Sequence, residues 1–308
     1  LEKVRYHVPV LVPEVMELLA LENRPVGVFL DATCGTCGHL IEAARRLGEG
    51  SRVIGMDRDA ETLDIARERL EREGIAAELI KGRHSEIADC LRRAGIERVN
   101  WTLFDVGQSG VQLDDITRGF SFTGGELDMR MDRTEKMTAF EVVNRYPVKR
   151  LEEVLRVLGD EPHSRAIAAA VGEERRKRPI RTNLELVRII EDATPFGYKR
   201  RRIHPATRTF MALMYEVNQV VPELEAGLEQ AADALTDGGR MAVITFEGIT
   251  SRVARTKMRG MRKSSAARRY AFEPVNKNAI KPSREETARN PRARSAVLRG
   301  YIKKEDSH

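Results

Sequence analysis

The sequence predicts an α/β fold: a doubly wound, mostly parallel sheet interrupted by an inserted helical domain. Two observations predict it. In the first third of the chain, short apolar runs alternate with helical periods, the grammar of a parallel sheet whose crossovers are helices. After residues 114–203, which read almost wholly as helix or loop, a strongly apolar run, Met241–Phe246, restores the strand pattern.

Taken in order, Val10, Leu11, Val15, Leu18 and Leu19 recur at helical spacing over residues 10–21. Val26–Leu30 reads as a buried strand ending in Asp31, and a glycine-containing loop, Thr33–His39, follows it. Residues 40–47 are helical, with Ile41, Ala44 and Leu47 on one face. Arg52–Met56 is the second strand and ends in Asp57. Asp59 caps a strongly periodic helix to Glu73. Ala77–Ile80 is a third strand, Ser85–Ala94 a helix, and Val99–Phe104 a fourth strand ending in Asp105. A long helix starts near Thr207, another spans Glu223–Leu235, and Asp237-Gly238-Gly239 is a turn before the last strand. The expected division is therefore 1–113 with 206–308 as one discontinuous domain, and 114–205 as the insertion. Residues 255–275 are basic and weakly periodic, so mobility is expected there.

The chain has 308 residues, 41% hydrophobic and 32% charged, which places it among globular proteins with a heavily charged surface. No apolar run is long enough to span a bilayer, and Leu1–Val10 lacks the order of a secretory signal. A cytoplasmic protein without a membrane partner is the expectation. Three cysteines, Cys34, Cys37 and Cys90, are too few for a disulfide framework and fit a reducing compartment. The formal net charge is +6, and the excess is clustered: Arg175–Arg178, Lys199–Arg202, Arg252–Arg269 and Arg284–Arg299. Clustered positive charge neutralises phosphates and points to nucleic acid, with a merely solvated basic face as the alternative. Aromatic residues are only 5%, so stacking platforms for bases are not the expected binding mode.

Nucleotide-like cofactors bind at the carboxyl ends of parallel strands, over the first strand-to-helix turn. Gly35 and Gly38 let backbone approach a ligand there, and Asp57 ends the second strand where an acid accepts from ribose hydroxyls. The loop is not G-x-G-x-x-G, which disfavours a pyrophosphate cofactor. S-adenosylmethionine carries no phosphate and fits better; glycines serving turn geometry alone are the other reading. The fourth strand ends Leu103-Phe104-Asp105-Val106-Gly107. Methylation of an exocyclic amine needs a group that holds the amine and accepts its hydrogens, and Asp105 is the candidate. Binding the methionine part of the cofactor, or capping a turn, are its alternative roles.

Longer strings carry a family resemblance. They are His7-Val8-Pro9-Val10-Leu11, Asp31-Ala32-Thr33, Gln112-Leu113-Asp114-Asp115, Arg118-Gly119-Phe120-Ser121-Phe122 and Leu127-Asp128-Met129-Arg130-Met131-Asp132. Downstream come His204-Pro205-Ala206-Thr207-Arg208-Thr209-Phe210 and Ala288-Arg289-Asn290-Pro291-Arg292, leading to Arg294-Ser295-Ala296. In order and spacing, over nearly the whole chain, they resemble the ribosomal RNA small-subunit methyltransferase H family, also called MraW. The resemblance implies a Rossmann-like, S-adenosylmethionine-dependent methyltransferase acting on the N4 amine of a decoding-site cytosine in small-subunit rRNA. An assembled small ribosomal subunit is the implied partner, and a homodimer is a possible assembly. By position it implies cofactor contacts at Cys37, Gly38, His39, Asp57, His84, Asp105 and Gln112.

The chain departs from the family pattern at Cys34–Leu40, at Arg83 and His84, at Gln108–Val111 and at Glu247–Ser251. All four stretches fall at strand ends. They keep two other functions open: an RNA- or ribosome-binding relative with altered or lost catalysis, and an amino-methyltransferase with another nucleic-acid target. Cys34-x-x-Cys37 with His39 resembles half a zinc site, but no second pair stands at ligand spacing, so no metal is expected. His204 and Arg208 are candidates for RNA contact, with helix capping as the plainer role of His204-Pro205. Arg289, Asn290, Arg292 and Arg294 are candidates for a phosphate clamp. Arg130 and Asp132 are expected to pair and hold the insertion.

Overall fold

The computed structural model describes residues 8–199, 203–246, 248–263 and 270–305. His7, Arg200–Arg202, Glu247 and the 264–269 part of the basic stretch lie outside the described residues. Two compact units divide the chain: residues 1–109 with 221–308, and residues 110–220.

The first unit opens with helix α1 (Val12–Leu18), whose second residue is a proline, pre-set for the first helical turn. It continues as β1 (Val28–Asp31), α2 (Gly38–Arg46), β2 (Arg52–Asp57), α3 (Ala60–Glu73), β3 (Glu78–Lys81), a 3-10 turn at His84–Glu86, α4 (Ile87–Arg93) and β4 (Val99–Val106). Asp59 caps α3 as its sequence implies: its carboxylate accepts from the Glu61 amide at 3.1 Å and the Thr62 hydroxyl at 2.9 Å. Gly74, at φ 66, ends the helix in the left-handed turn that glycine permits.

The second unit holds α5 (Gly110–Asp114), α6 (Ala139–Arg145), α7 (Val148–Gly159), α8 (Ser164–Lys177), α9 (Asn183–Ala193), α10 (Phe196–Lys199) and α11 (Ala206–Asn218). Helix α11 packs on α7, α6 and α9, so it belongs with these helices. The boundary expected at residue 206 puts residues 206–220 with the sheet, whereas the apolar face of α11 (Phe210, Leu213, Met214, Val217) is buried and residues 110–220 form the helical unit.

The first unit resumes with α12 (Val220–Ala234), β5 (Leu235–Thr245), α13 (Gly248–Gly260), β6 (Tyr270–Pro274), α14 (Arg284–Arg289) and β7 (Val297–Glu305). The seven strands form one sheet in the order β3-β2-β1-β4-β5-β7-β6. The first five are mutually parallel; β7 runs antiparallel to β5 and β6 antiparallel to β7. The predicted turn Asp237-Gly238-Gly239 is a bulge within β5: Val99 pairs with Leu235 and Trp101 already with Arg240. Residues 255–260 are ordered as the end of α13, which buries Ile249, Ala254 and Met258 and leaves its cations outward, while Tyr270–Pro274 is an edge strand. The helical period of these residues is faint in the sequence because charge on the outer face masks the apolar one.

Strand alternation gives the sheet two faces. Phe29, Val53, Trp101, Leu103, Ala242 and Ile244 form one core with α1 and α2. Phe104 packs with α12 on the opposite face. Asp31 and Asp105 share the parity of Phe29 and Leu103, so both carboxylates lie on the α1–α2 face at the strand ends.

Candidate active site

Three aspartates end three neighbouring parallel strands, in the order Asp57, Asp31, Asp105. Backbone groups and one threonine hold them. The Gly35 amide donates to Asp57 Oδ2 at 3.0 Å, and the Asp59 amide to Oδ1 at 2.9 Å. The Thr33 amide donates to Asp31 Oδ1 at 3.1 Å. The Asp105 amide donates to Thr33 Oγ1 at 2.6 Å, which joins the ends of β1 and β4.

Burial raises all three acids. Asp57 is pushed up to about 6 by desolvation, with the neighbouring Asp59 charge adding to it and the Asp59 and Gly35 amides opposing it. Asp31 is pushed up to about 7 by desolvation, partly offset by His39. Asp105 is pushed up to about 7 by burial. Its side chain is 15% exposed, and its Oδ1 is buried without a hydrogen-bond partner. An unsatisfied carboxylate oxygen at a parallel-strand end is costly structurally and useful chemically.

The loop above these acids is shaped by two left-handed residues, Gly35 at φ 50 and Cys37 at φ 65. A Cβ built on Gly35 meets nothing nearer than 3.9 Å, so the loop has open space in front of it. Cys37 caps α2, and its amide donates to the Cys34 carbonyl at 2.7 Å. Gly38 lies against Pro9, where a Cβ would come within 3.0 Å of the proline ring. His39, the second residue of α2, is buried; its Nε2 lies 2.7 Å from the Val10 carbonyl oxygen and its Nδ1 3.6 Å from Asp105 Oδ2. Arg69 of α3 steadies the loop from behind by donating to the Thr36 carbonyl at 2.9 Å.

The structure therefore brings Gly35, Cys37, Gly38, His39, Asp57 and Asp105 together. It adds Asp31, the acid that ends β1, and Thr33, which the sequence shows only as part of a string. His84 stands beside the end of β1, where its ring is hydrogen-bonded to the Ala32 backbone. That ring stands edge-on to Phe104 at 5.6 Å, and a Cβ on Gly227 would come within 2.5 Å of the His84 Cβ. Desolvation lowers its pKa to about 4, so it is neutral. Gln112 lies in α5 of the second unit and is buried.

The nucleic-acid candidates divide. In the second unit His204 Nδ1 accepts from the Ala206 amide at 3.2 Å and its ring stacks on Phe122 with centroids 5.0 Å apart. Arg208 donates to the Asp160 carbonyl at 2.9 Å, just beyond the end of α7. Both thus have local structural partners. In the first unit Arg289, Arg292 and Arg294 are exposed, while Asn290 Nδ2 donates to the Val8 carbonyl at 3.1 Å. The expected Arg130–Asp132 pair is not formed as such: Arg130 binds Asp128 through two hydrogen bonds of 2.7 and 2.8 Å, and Asp132 caps Thr134. Of the block Arg175–Arg178, Arg175 donates to the Val143 and Tyr146 carbonyls, while Lys177 and Arg178 pair with Glu174 and Glu185.

The three cysteines are buried free thiols. Among the described residues no group of three or more His, Cys, Asp or Glu side chains is gathered for a metal ion, and no helix is long and apolar enough to cross a membrane.

Comparison with known proteins agrees with this chemistry. Ribosomal RNA small subunit methyltransferase H of Symbiobacterium thermophilum is 38% identical over 309 residues, covering 97% of this chain and 96% of its own. The protein of the same name from Syntrophobacter fumaroxidans is 39% identical, covering 96% of each chain. That from Methylococcus capsulatus is 39% identical over 96% of this chain and 99% of its own. The family model described as MraW methylase matches residues 4–304. The chain belongs to the MraW methylase family.

Proposed function

We propose that this protein methylates the N4 amine of a cytosine in the decoding region of small-subunit rRNA, with S-adenosylmethionine as the donor. The observation that carries the reading is the Asp105 carboxylate, held at the end of β4 with Oδ1 buried and unpartnered, beside an acid-and-glycine loop. When bound, the cofactor supplies an electrophilic methyl group on a sulfonium. Asp57 is only partly buried, and its oxygens keep lone pairs for ribose hydroxyls beyond the two amides they already accept. Gly35 leaves room for the nucleoside in front of the loop, and Cys37 and Gly38 set its curvature.

Asp105 orients the amine and takes up its proton. Desolvation matters here: a carboxyl raised toward neutrality exchanges protons readily near pH 7. The target base must leave its stack to reach such a recessed group, so unpaired RNA within an assembled small subunit is the substrate that fits. The exposed Arg289, Arg292 and Arg294 suit phosphates, and the inserted helical unit serves substrate recognition.

The test is methyl transfer from labelled S-adenosylmethionine to small ribosomal subunits that lack the modification, with Asp105→Ala as control. Label on a decoding-site cytosine, absent in the control, supports the reading; cofactor binding without transfer to that site refutes it. The second outcome would favour a relative with another target.

A further inference from the structure

The surroundings of Asp105 hold one group that the reaction as outlined does not use. His39 is 5% exposed, and its Nε2 lies 2.7 Å from the Val10 carbonyl oxygen. A carbonyl can only accept, so Nε2 carries the hydrogen. In the neutral ring Nδ1 is then a bare acceptor, and it faces Asp105 Oδ2 at 3.6 Å. That separation is longer than a formed hydrogen bond, as catalytic pairs often are before substrate arrives. The other carboxylate oxygen, Oδ1, is the one left without a partner.

The tautomer is fixed from far away in the sequence. Val10 belongs to the N-terminal string, which is tied down at three further points. Pro9 lies against Gly38, the Val8 carbonyl accepts from Asn290 Nδ2, and the Leu11 amide donates to Glu286 Oε1 at 2.7 Å. Two strings at opposite ends of the chain thus hold one carbonyl against one imidazole nitrogen.

Building on the methyl-transfer reading, we propose that Asp105 and His39 form a proton relay: Oδ1 of Asp105 receives the proton of the methylated amine while Oδ2 passes its own proton to Nδ1 of His39. The new N–C bond takes the amine's lone pair, and the broken methyl–sulfur bond leaves its pair on sulfur. The N–H pair returns to nitrogen. Asp105 ends as it began, protonated once, and the positive charge ends on the imidazole. Burial favours the neutral starting pair, because desolvation lowers His39 and raises Asp105. The charged groups that face the ring are Asp31 and Glu286, both acidic, and they stabilise the imidazolium once formed. Asp105 and Asp57 in turn push the Asp31 carboxyl up. His39 is a positioning residue in this scheme, since it acts through Asp105.

The test uses the full chain with isotopically labelled histidine, without cofactor, followed by nitrogen NMR across pH. The expected result is a protonated Nε2 and an Nδ1 signal whose position and titration move in Asp105→Asn. An Nδ1 signal indifferent to Asp105→Asn overturns the pairing. The second arm is kinetic, with His39→Gln, which keeps a donor for the Val10 carbonyl but cannot titrate. Turnover should fall on the order of 10²-fold near neutral pH. It should recover as pH rises and Asp105 ionises by itself. Wild-type turnover and pH profile in His39→Gln would remove the relay and leave the methyltransferase reading standing. A coupled Nδ1 signal in a wild-type protein that transfers no methyl group would uphold the pair and remove the reaction.

Discussion

Asp105 and Asp128 are both aspartates in buried surroundings, one in each unit, and they are handled in opposite ways. Asp128 feels desolvation too, but hydrogen bonds from Arg130 outweigh it and hold the carboxyl below the usual range. Around it the helical unit spends its polar groups on backbone: Asn218 Nδ2 donates to the Met129 and Met214 carbonyls and its Oδ1 accepts from the Met131 amide. Asn183 Nδ2 shares its two hydrogens among the carbonyls of Gly119, Ser121 and Gly124, while its Oδ1 is buried without a partner. At the strand ends of the sheet, burial prevails and Asp105 Oδ1 stays unpartnered. The difference separates a carboxylate held ionised by an arginine from one that burial pushes toward its neutral form.

The sharpest way to break the comparison is to remove each aspartate's function. Asp105→Ala should lower methyl transfer by roughly 10²–10⁴-fold, the usual range for losing a proton-transfer group, with no loss of thermal stability. A comparable fall in melting temperature would make Asp105 a structural residue like Asp128.

Two glycines extend the contrast to backbone. A Cβ on Gly119, at φ 72, would stand 2.2 Å from the Glu126 carbonyl oxygen. Gly119→Ala should therefore cost about 3 kcal/mol or more in urea unfolding, adding overlap to left-handed strain. A marginal change would mean that the turn around it relaxes freely.

Titration gives a smaller effect with a definite sign. The folded pKa of Asp105 is raised to about 7 from 3.8, so its contribution to stability is present below about pH 4 and is lost as pH rises to 7. Asp105→Asn should thus be more stable than wild type at pH 8, with the gain vanishing near pH 4. Equal stability at both ends would show that water or a cation already compensates the charge.

The smallest effect is expected at Gly35. Its Cβ direction is open, so Gly35→Ala should cost only ~1 kcal/mol of left-handed strain. Cofactor affinity, measured by calorimetry, should fall by more than that strain alone, because the methyl group projects into the space before the loop. Unchanged affinity would place the ligand elsewhere.

Much of this was legible in the sequence. Asp31, Asp57 and Asp105 each close an apolar run, and strand-end acids beside a glycine loop need no coordinates to be noticed. Gly35 and Gly38 were legible for the same reason. The two C-terminal strands were missed because β6 is a short edge strand among basic residues and β7 reads Leu298-Arg299-Gly300-Tyr301-Ile302, a period blurred by glycine. His84 was read as a cofactor contact only from its place in a string; its hydrogen bond to the Ala32 backbone and its edge contact with Phe104 are tertiary and could not be read there. The Arg130 partner was missed because spacing alone cannot choose between Asp128 and Asp132.

The sequence by itself determined the alternation of strands and helices, the acids at the strand ends and the family, because these depend on local periodicity and on residues close together in the chain. Only the tertiary structure decided which oxygen of Asp105 lacks a partner, which nitrogen of His39 carries hydrogen and which basic residues are consumed by carbonyls. Those answers depend on desolvation and on contacts such as Val10 with His39 and Val8 with Asn290, where chain ends meet across the fold.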